Sequence, residues 1–126
     1  MKEILIQTEQ KIELIDITDL VEQNLSLKSG AVLLFLPHAT AGFLINENEE
    51  GLKRDFEKLF SYLKNLAPFE HNKIDNNAEA HLMSGILKPF LILPVQSQKL
   101  VLGCWQRIFL VELDGPRERK ILVKEL

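Results

Sequence analysis

A chain of 126 residues, 46% of them hydrophobic, has the size of one domain and enough apolar side chains for one core. Its 15 basic and 18 acidic residues give a net charge of -3, which excludes the broad positive field that holds a nucleic-acid backbone. No apolar run approaches the roughly 20 residues of a bilayer-spanning helix, and the single cysteine, Cys104, excludes an intrachain disulfide.

The N-terminus passes directly from Met1 into a strand-like pattern without a secretory h-region, so the expectation is a cytoplasmic protein that begins at Met1. Residues 4–7 and 12–15 are β-prone runs joined by a polar stretch, which predicts a hairpin. Thr18 as N-cap, with Leu20, Val21 and Leu25 at helical spacing, predicts a short helix stopped by Ser29 and Gly30. Residues 31–36 are apolar on both alternations, as in a strand covered on two faces, and Phe43, Leu44 and Ile45 continue the pattern after Gly42.

Asn48 is placed to cap a long helix in which Leu52, Phe56, Leu59, Phe60, Leu63 and Leu66 form one apolar stripe, expected to be core. Glu49 with Lys53, and Glu50 with Arg54, stand four residues apart as favourable pairs. Pro68 ends that helix, and residues 69–76 form a polar connection carrying His71 and Asp75. Asn77 is a candidate N-cap for a third helix over residues 78–87, whose pairs Leu82 with Ile86 and Met83 with Leu87 are expected to face the core and leave His81 accessible. Residues 90–95, 100–103, 107–113 and 121–123 read as strands of an antiparallel meander, with a turn near Ser97 and another at Asp114, Gly115 and Pro116. The fold class is α+β, a single domain over residues 1–126 with helices packed on one sheet system.

His38 follows the end of a strand, His71 sits in a polar loop and His81 projects from a helix, so three imidazoles from separate elements suit zinc or a similar divalent metal with an open coordination position. The alternative is that each is a hydrogen-bonded structural residue, since no cysteine pair and no His-Glu-x-x-His run marks a metal site. Asn46, Glu47 and Asn48 stand where a strand turns into the long helix; capping accounts for Asn48 but not for Glu47, which is a candidate base or histidine-orienting group. Glu47, Glu49 and Glu50 oppose an anion at that helix start. Asp114 to Arg117 make a tight turn that needs no guanidinium, which leaves Arg117 free to bind phosphate or carboxylate. Cys104 is a conceivable nucleophile, but a small buried hydrophobe is the expected role.

Five spaced motifs, in order over nearly the whole chain, then come together: His38-Ala-Thr-Ala-Gly42 with Ile45-Asn-Glu-Asn48; the His71 loop with Asp75; Asn77-Ala-Glu-Ala-His-Leu82; Leu102-Gly-Cys-Trp-Gln106; and Glu112-Leu-Asp-Gly-Pro-Arg117. Together they resemble the YjbQ-like family, also called secondary thiamine-phosphate synthase. The resemblance implies a mainly antiparallel β-sandwich or barrel-like sheet with three helices packed on it, assembled as a homotrimer with the site near a subunit interface. It implies His38, His71 and His81 as ligands of a divalent metal, zinc foremost, with Glu47, Asp75 and Arg117 as catalytic company. It further implies weak thiamine-phosphate synthase activity, joining an aminopyrimidine diphosphate to a thiazole phosphate, with metal-assisted hydrolysis or transfer on another small phosphorylated or carboxylated molecule as the other enzymatic expectation. A separate hypothesis, from another class, is a trimeric protein that binds a small metabolite or metal without turnover. Ala39, Phe69, Lys88 and Cys104 depart from the family's usual threonine or serine, tyrosine, glycine and threonine, and none of these changes removes a histidine.

Overall fold

In the computed structural model, which describes residues 1–126, the pattern of each strand fixes what it packs against. Strand β1 (Lys2–Gln7) buries Ile4 and half-buries Ile6 while Glu3, Leu5 and Gln7 face outward. Strand β7 (Arg107–Glu112) is the opposite case: Ile108, Phe109, Leu110 and Val111 are all buried, because both faces of this strand are covered. The remaining strands are β2 (Glu13–Asp16), β3 (Ser29–Phe35), β4 (Ala41–Asn46), β5 (Phe90–Gln96), β6 (Lys99–Leu100) and β8 (Glu118–Glu125). They form two antiparallel sheets, one of five strands in the order β1-β8-β3-β5-β6 and one of three in the order β2-β7-β4.

A core of 16 buried residues lies between the sheets, with Ile4, Val32, Leu34 and Ile121 from the larger and Phe43, Ile108 and Leu110 from the smaller. The other face of the small sheet, through Leu14, Phe109 and Val111, packs on Phe60 of α2 (Glu50–Tyr62) and on Ala80 and Met83 of α3 (Ala78–Ile86). The short helix α1 (Thr18–Gln23) buries Val21 in the main core. The α+β class and the sandwich-like antiparallel architecture with three helices therefore hold.

Several local expectations do not. β1 and β2 form no hairpin: β1 pairs with β8 and β2 with β7, since Ile4 belongs to one core and Leu14 to the other, and residues 8–11 carry the chain between sheets. The C-terminal strands are no meander, because β7 enters the small sheet while β8 inserts between β1 and β3 in the large one. Strand β3 is covered on one face only, with Val32 and Leu34 buried and Phe35 exposed. Of the α2 stripe, Phe60 is buried in the second core and Phe56 and Leu63 pack against it half-buried, whereas Leu59 and Leu66 are exposed. The helix also tightens into a 3₁₀ turn over Leu63–Leu66.

Glu49, not Asn48, caps α2 by accepting from the Gly51 and Leu52 amides, which leaves Lys53 to pair with Glu50. Asn48 donates instead to Asp16. Thr18 is the first helical residue rather than the cap, and its hydroxyl accepts from the Ile108 amide. On α3, Met83 is buried but Leu82 and Ile86 are exposed. Cys104 is exposed in the β6–β7 connection, not buried. No helix is long and apolar enough to cross a membrane.

Candidate functional site

The site is built outward from a buried ion pair at the turn joining β7 to β8. Arg119 donates through Nε to Glu112 Oε2 at 2.9 Å and through Nη2 to Oε1 at 2.5 Å. The same guanidinium donates to the Thr40 carbonyl and hydroxyl, while Glu112 accepts from Thr8 Oγ1 and from the Leu113 and Asp114 amides. Burial opposes charge on Glu112, yet the Arg119 hydrogen bonds and the other donors hold its carboxyl below the ordinary glutamate value. The pair thereby ties the segments after β1 and β3 to the turn. Gly115 completes the fit: a Cβ there would lie 2.2 Å from the Gln10 carbonyl oxygen and 2.8 Å from Glu112 Cγ, so only glycine lets the turn approach this closely.

The turn presents Asp114, which accepts from Lys11 Nζ at 2.5 Å, Asn77 Nδ2 at 2.8 Å and Arg117 Nη2 at 3.3 Å. Burial works against its charge as well, but Lys11 and Asn77, followed by Arg117, hold the Asp114 carboxyl below the ordinary aspartate value. Asn77 is buried and does not cap α3 with its side chain; Asn72 Oδ1 accepts from the Ala78 amide in its place. Because a carboxylate only accepts, Asn77 must turn its NH₂ to Asp114 and its Oδ1 to His71, whose Nε2 lies 2.8 Å away. His71 Nε2 therefore carries the proton, and its Nδ1 lone pair is free.

One helical turn beyond Asn77, the His81 ring stands edge-on to His71, with centroids 4.6 Å apart and planes at 67°. The two imidazoles line a cleft of about 360 Å³ together with Phe69, Glu70, Ala78 and Leu82.

The other expected residues stand elsewhere. His38 Nε2 accepts from the Lys120 amide at 2.9 Å, which continues the β3–β8 ladder by side chain beyond its last pair, Phe35 with Leu122. Its Nε2 lone pair is thus occupied and its proton is on Nδ1. Burial and then the Arg119 charge lower the His38 pKa. Glu47 is half-buried just past β4, which runs from Ala41, opposite Glu112, to Asn46, opposite Arg107. It therefore lies at the end of the small sheet away from Asp114. Asp75 is exposed beside the His71 loop, its carbonyl accepting from the Asn77 amide. Arg117 is exposed and anchored to Asp114, with Nε donating to the Asp114 carbonyl.

The chain thus brings His71, His81, Asp114 and Arg117 into one connected group and leaves His38 and Glu47 outside it. No group of three or more His, Cys, Asp or Glu side chains in the chain is placed to hold a metal ion. His71 and His81 nevertheless fit half of such a site by donor type: two imidazoles, one with its other nitrogen held by an outer partner, as in many histidine metal sites. Sequence reasoning missed Asn77 and Asp114 as site residues, reading one as a cap and the other as a turn former. The one signal for Asp114 was the surplus Arg117 beside it.

The model of the family described as "UPF0047 protein YjbQ-like" matches residues 2–126. A UPF0047 protein of Archaeoglobus fulgidus is 44% identical over 98% of this chain and 99% of its own length. The UPF0047 protein YugU of Bacillus subtilis is 37% identical over 98% and 97%. Among solved structures, a YbjQ-like protein of unknown function from Sulfolobus solfataricus shares 45% identity at a TM-score of 0.89, covering 97% of this chain and 92% of that one. A hypothetical protein from Aeropyrum pernix shares 36% at 0.93, covering 99% and 96%. With the motifs, the fold and the full-length match in agreement, the chain belongs to the YjbQ-like UPF0047 family.

Proposed function

We propose that the chain is a metal-dependent enzyme acting on a small phosphorylated metabolite at the His71–His81 cleft, and that thiamine-phosphate synthase chemistry is the reaction to test. The observation that carries this reading is the chain Asp114–Asn77–His71, which fixes one tautomer of a histidine that lines the same cleft as His81 and leaves its other nitrogen without a partner. His71 and His81 would hold the divalent metal, with zinc favoured by the nitrogen donors and a remaining ligand coming from a neighbouring copy or the substrate. When bound, the metal supplies Lewis acidity toward diphosphate oxygens. In the reaction, a carbon–nitrogen bond forms between the aminopyrimidine methylene and the thiazole nitrogen, and diphosphate leaves with the electrons of the carbon–oxygen bond.

Arg117, exposed and held at one edge by Asp114, keeps donors free for an anionic group. Asp75, exposed beside the His71 loop, would serve as the proton-handling carboxylate, and Glu47 would reach the cleft only from another copy. A homotrimer is supported by the outer face of the large sheet, where Leu5, Phe35, Phe90 and Ile92 are exposed and Phe35 pairs with Phe90 in register. A cytoplasmic location accords with the exposed thiol of Cys104.

A second reading, a trimeric protein that binds a metabolite or metal without turnover, is favoured by one observation. The one carboxylate lining the cleft, Glu70, is paired with Lys73 rather than with either histidine. Incubation of the purified protein with both thiamine precursors and zinc or magnesium separates the two. The enzyme reading expects thiamine phosphate, lost in His71→Ala and His81→Ala; undiminished product in both variants overturns it, and metal binding without product supports the binding protein.

A further inference from the structure

Phe69 is a wall shared by two clefts. On one side lie His71 and His81; on the other, Lys11, Lys64, Asn72 and Asn76 surround a volume of about 330 Å³, with Glu79 the single carboxylate on the lining. That size is in the range of small-molecule sites.

Two of the four donors are held in place. Lys11 is tied by Asp114, the residue that also orients His71 through Asn77. Asn72 has its Oδ1 engaged by the Ala78 amide, so its free end is the NH₂. Lys64 and Asn76 are exposed and neither side chain has a hydrogen-bond or ionic partner in the chain. Ammonium point charges with amide donors around an open volume are suited to a tetrahedral, multiply charged anion.

We propose that this second cleft is an anion subsite that takes the phosphate or diphosphate group of a small molecule whose other end lies across Phe69 at the histidine pair. The proposal deepens the reading above and rests on it only for the reacting end of that molecule. Asp114 then serves both halves, holding a cation toward one and a histidine tautomer toward the other.

The test is titration of the full chain with inorganic diphosphate, followed by amide NMR. Saturable shifts of the Asn72 and Asn76 side-chain amides are expected. Lys64→Glu should weaken the affinity at least tenfold with an otherwise unchanged spectrum, whereas Lys99→Ala, on β6, should not. Absence of saturable binding, equal affinity in Lys64→Glu and Lys99→Ala, or shifts confined to the surroundings of Arg117 would each overturn the subsite. Failure of the thiamine-precursor assay with diphosphate binding intact would remove the proposed reaction and leave the subsite standing.

Discussion

Glu112 and Arg119 face each other between β7 and β8 with side chains 0% and 2% exposed, joined through two hydrogen bonds. A buried pair of this kind contributes little when compared with an apolar replacement, but removal of one member strands a charge, at a cost of about 3–5 kcal/mol. Arg119→Met should therefore lower the unfolding free energy by that order, and the double replacement Glu112→Leu with Arg119→Met by clearly less. Denaturant unfolding at fixed protein concentration measures both; a single variant within about 1 kcal/mol of wild type, inside the range of ordinary surface changes, would contradict the argument.

Asn77→Ala cuts the link from Asp114 to His71 but spares the first turn of α3, whose Ala78 amide is satisfied by Asn72. The fold should persist while His71 loses its fixed tautomer. Outer-partner losses of this type cost about 10–100-fold in metal affinity, so calorimetric titration with zinc should show a drop of that size, and imidazole nitrogen shifts should report a mixture of tautomers at His71. Unchanged zinc affinity would remove Asn77 from the site.

The pH dependence has two parts of the same sign. The folded pKa of His38 is lowered from 6.5, so below that pH the unfolded chain binds a proton that the fold resists. Stability then falls as the pH drops from 6.5 toward the folded value. His38→Gln, whose side-chain oxygen still accepts from the Lys120 amide, should flatten that segment of the curve. Asp16, Glu112 and Asp114 have lowered pKa values, so their contribution is full above the ordinary 3.8 for Asp or 4.5 for Glu and is lost as the pH falls through the folded values. Urea midpoints measured from neutral to acid pH should trace both losses, and a His38→Gln curve parallel to wild type near pH 6.5 would exclude the first.

The outer face of the large sheet should be buried by other copies. Sedimentation should give a trimer mass for the wild type and a smaller species for Ile92→Asp, which places a charge at an exposed position opposite Leu33 without touching the core. A monomeric wild type at micromolar concentration would dispose of the assembly.

The elements were readable where one chain's interior dictates the pattern. Residues 107–113 read as a strand, and β7 is that strand; its cover on both faces was not read, since that expectation fell on residues 31–36. The partition into two sheets was not readable, because alternation says that Ile4 and Leu14 turn inward but not toward which core. Periodicity also placed Leu82 and Ile86 on one stripe without showing whether this chain covers them, and it leaves both exposed. At the site, His71 and His81 were legible as approachable residues. The hydrogen bonds that connect them to Asp114 were not, since an asparagine before a helix has a strong local reason to be a cap, and only tertiary structure reveals that Asn72 took that role.

The pairing of β1 with β8 matches Lys2 with Val123 and Gln7 with Glu118, so β1 must wait for a neighbour far along the chain. During synthesis β1 lacks its partner until β8 has left the ribosome, and the central position of β8 between β1 and β3 makes closure of the large sheet wait for the same event. Ladders between such distant segments close slowly. Deletion of the last strand should therefore give a chain that aggregates during translation rather than a smaller version of the same protein.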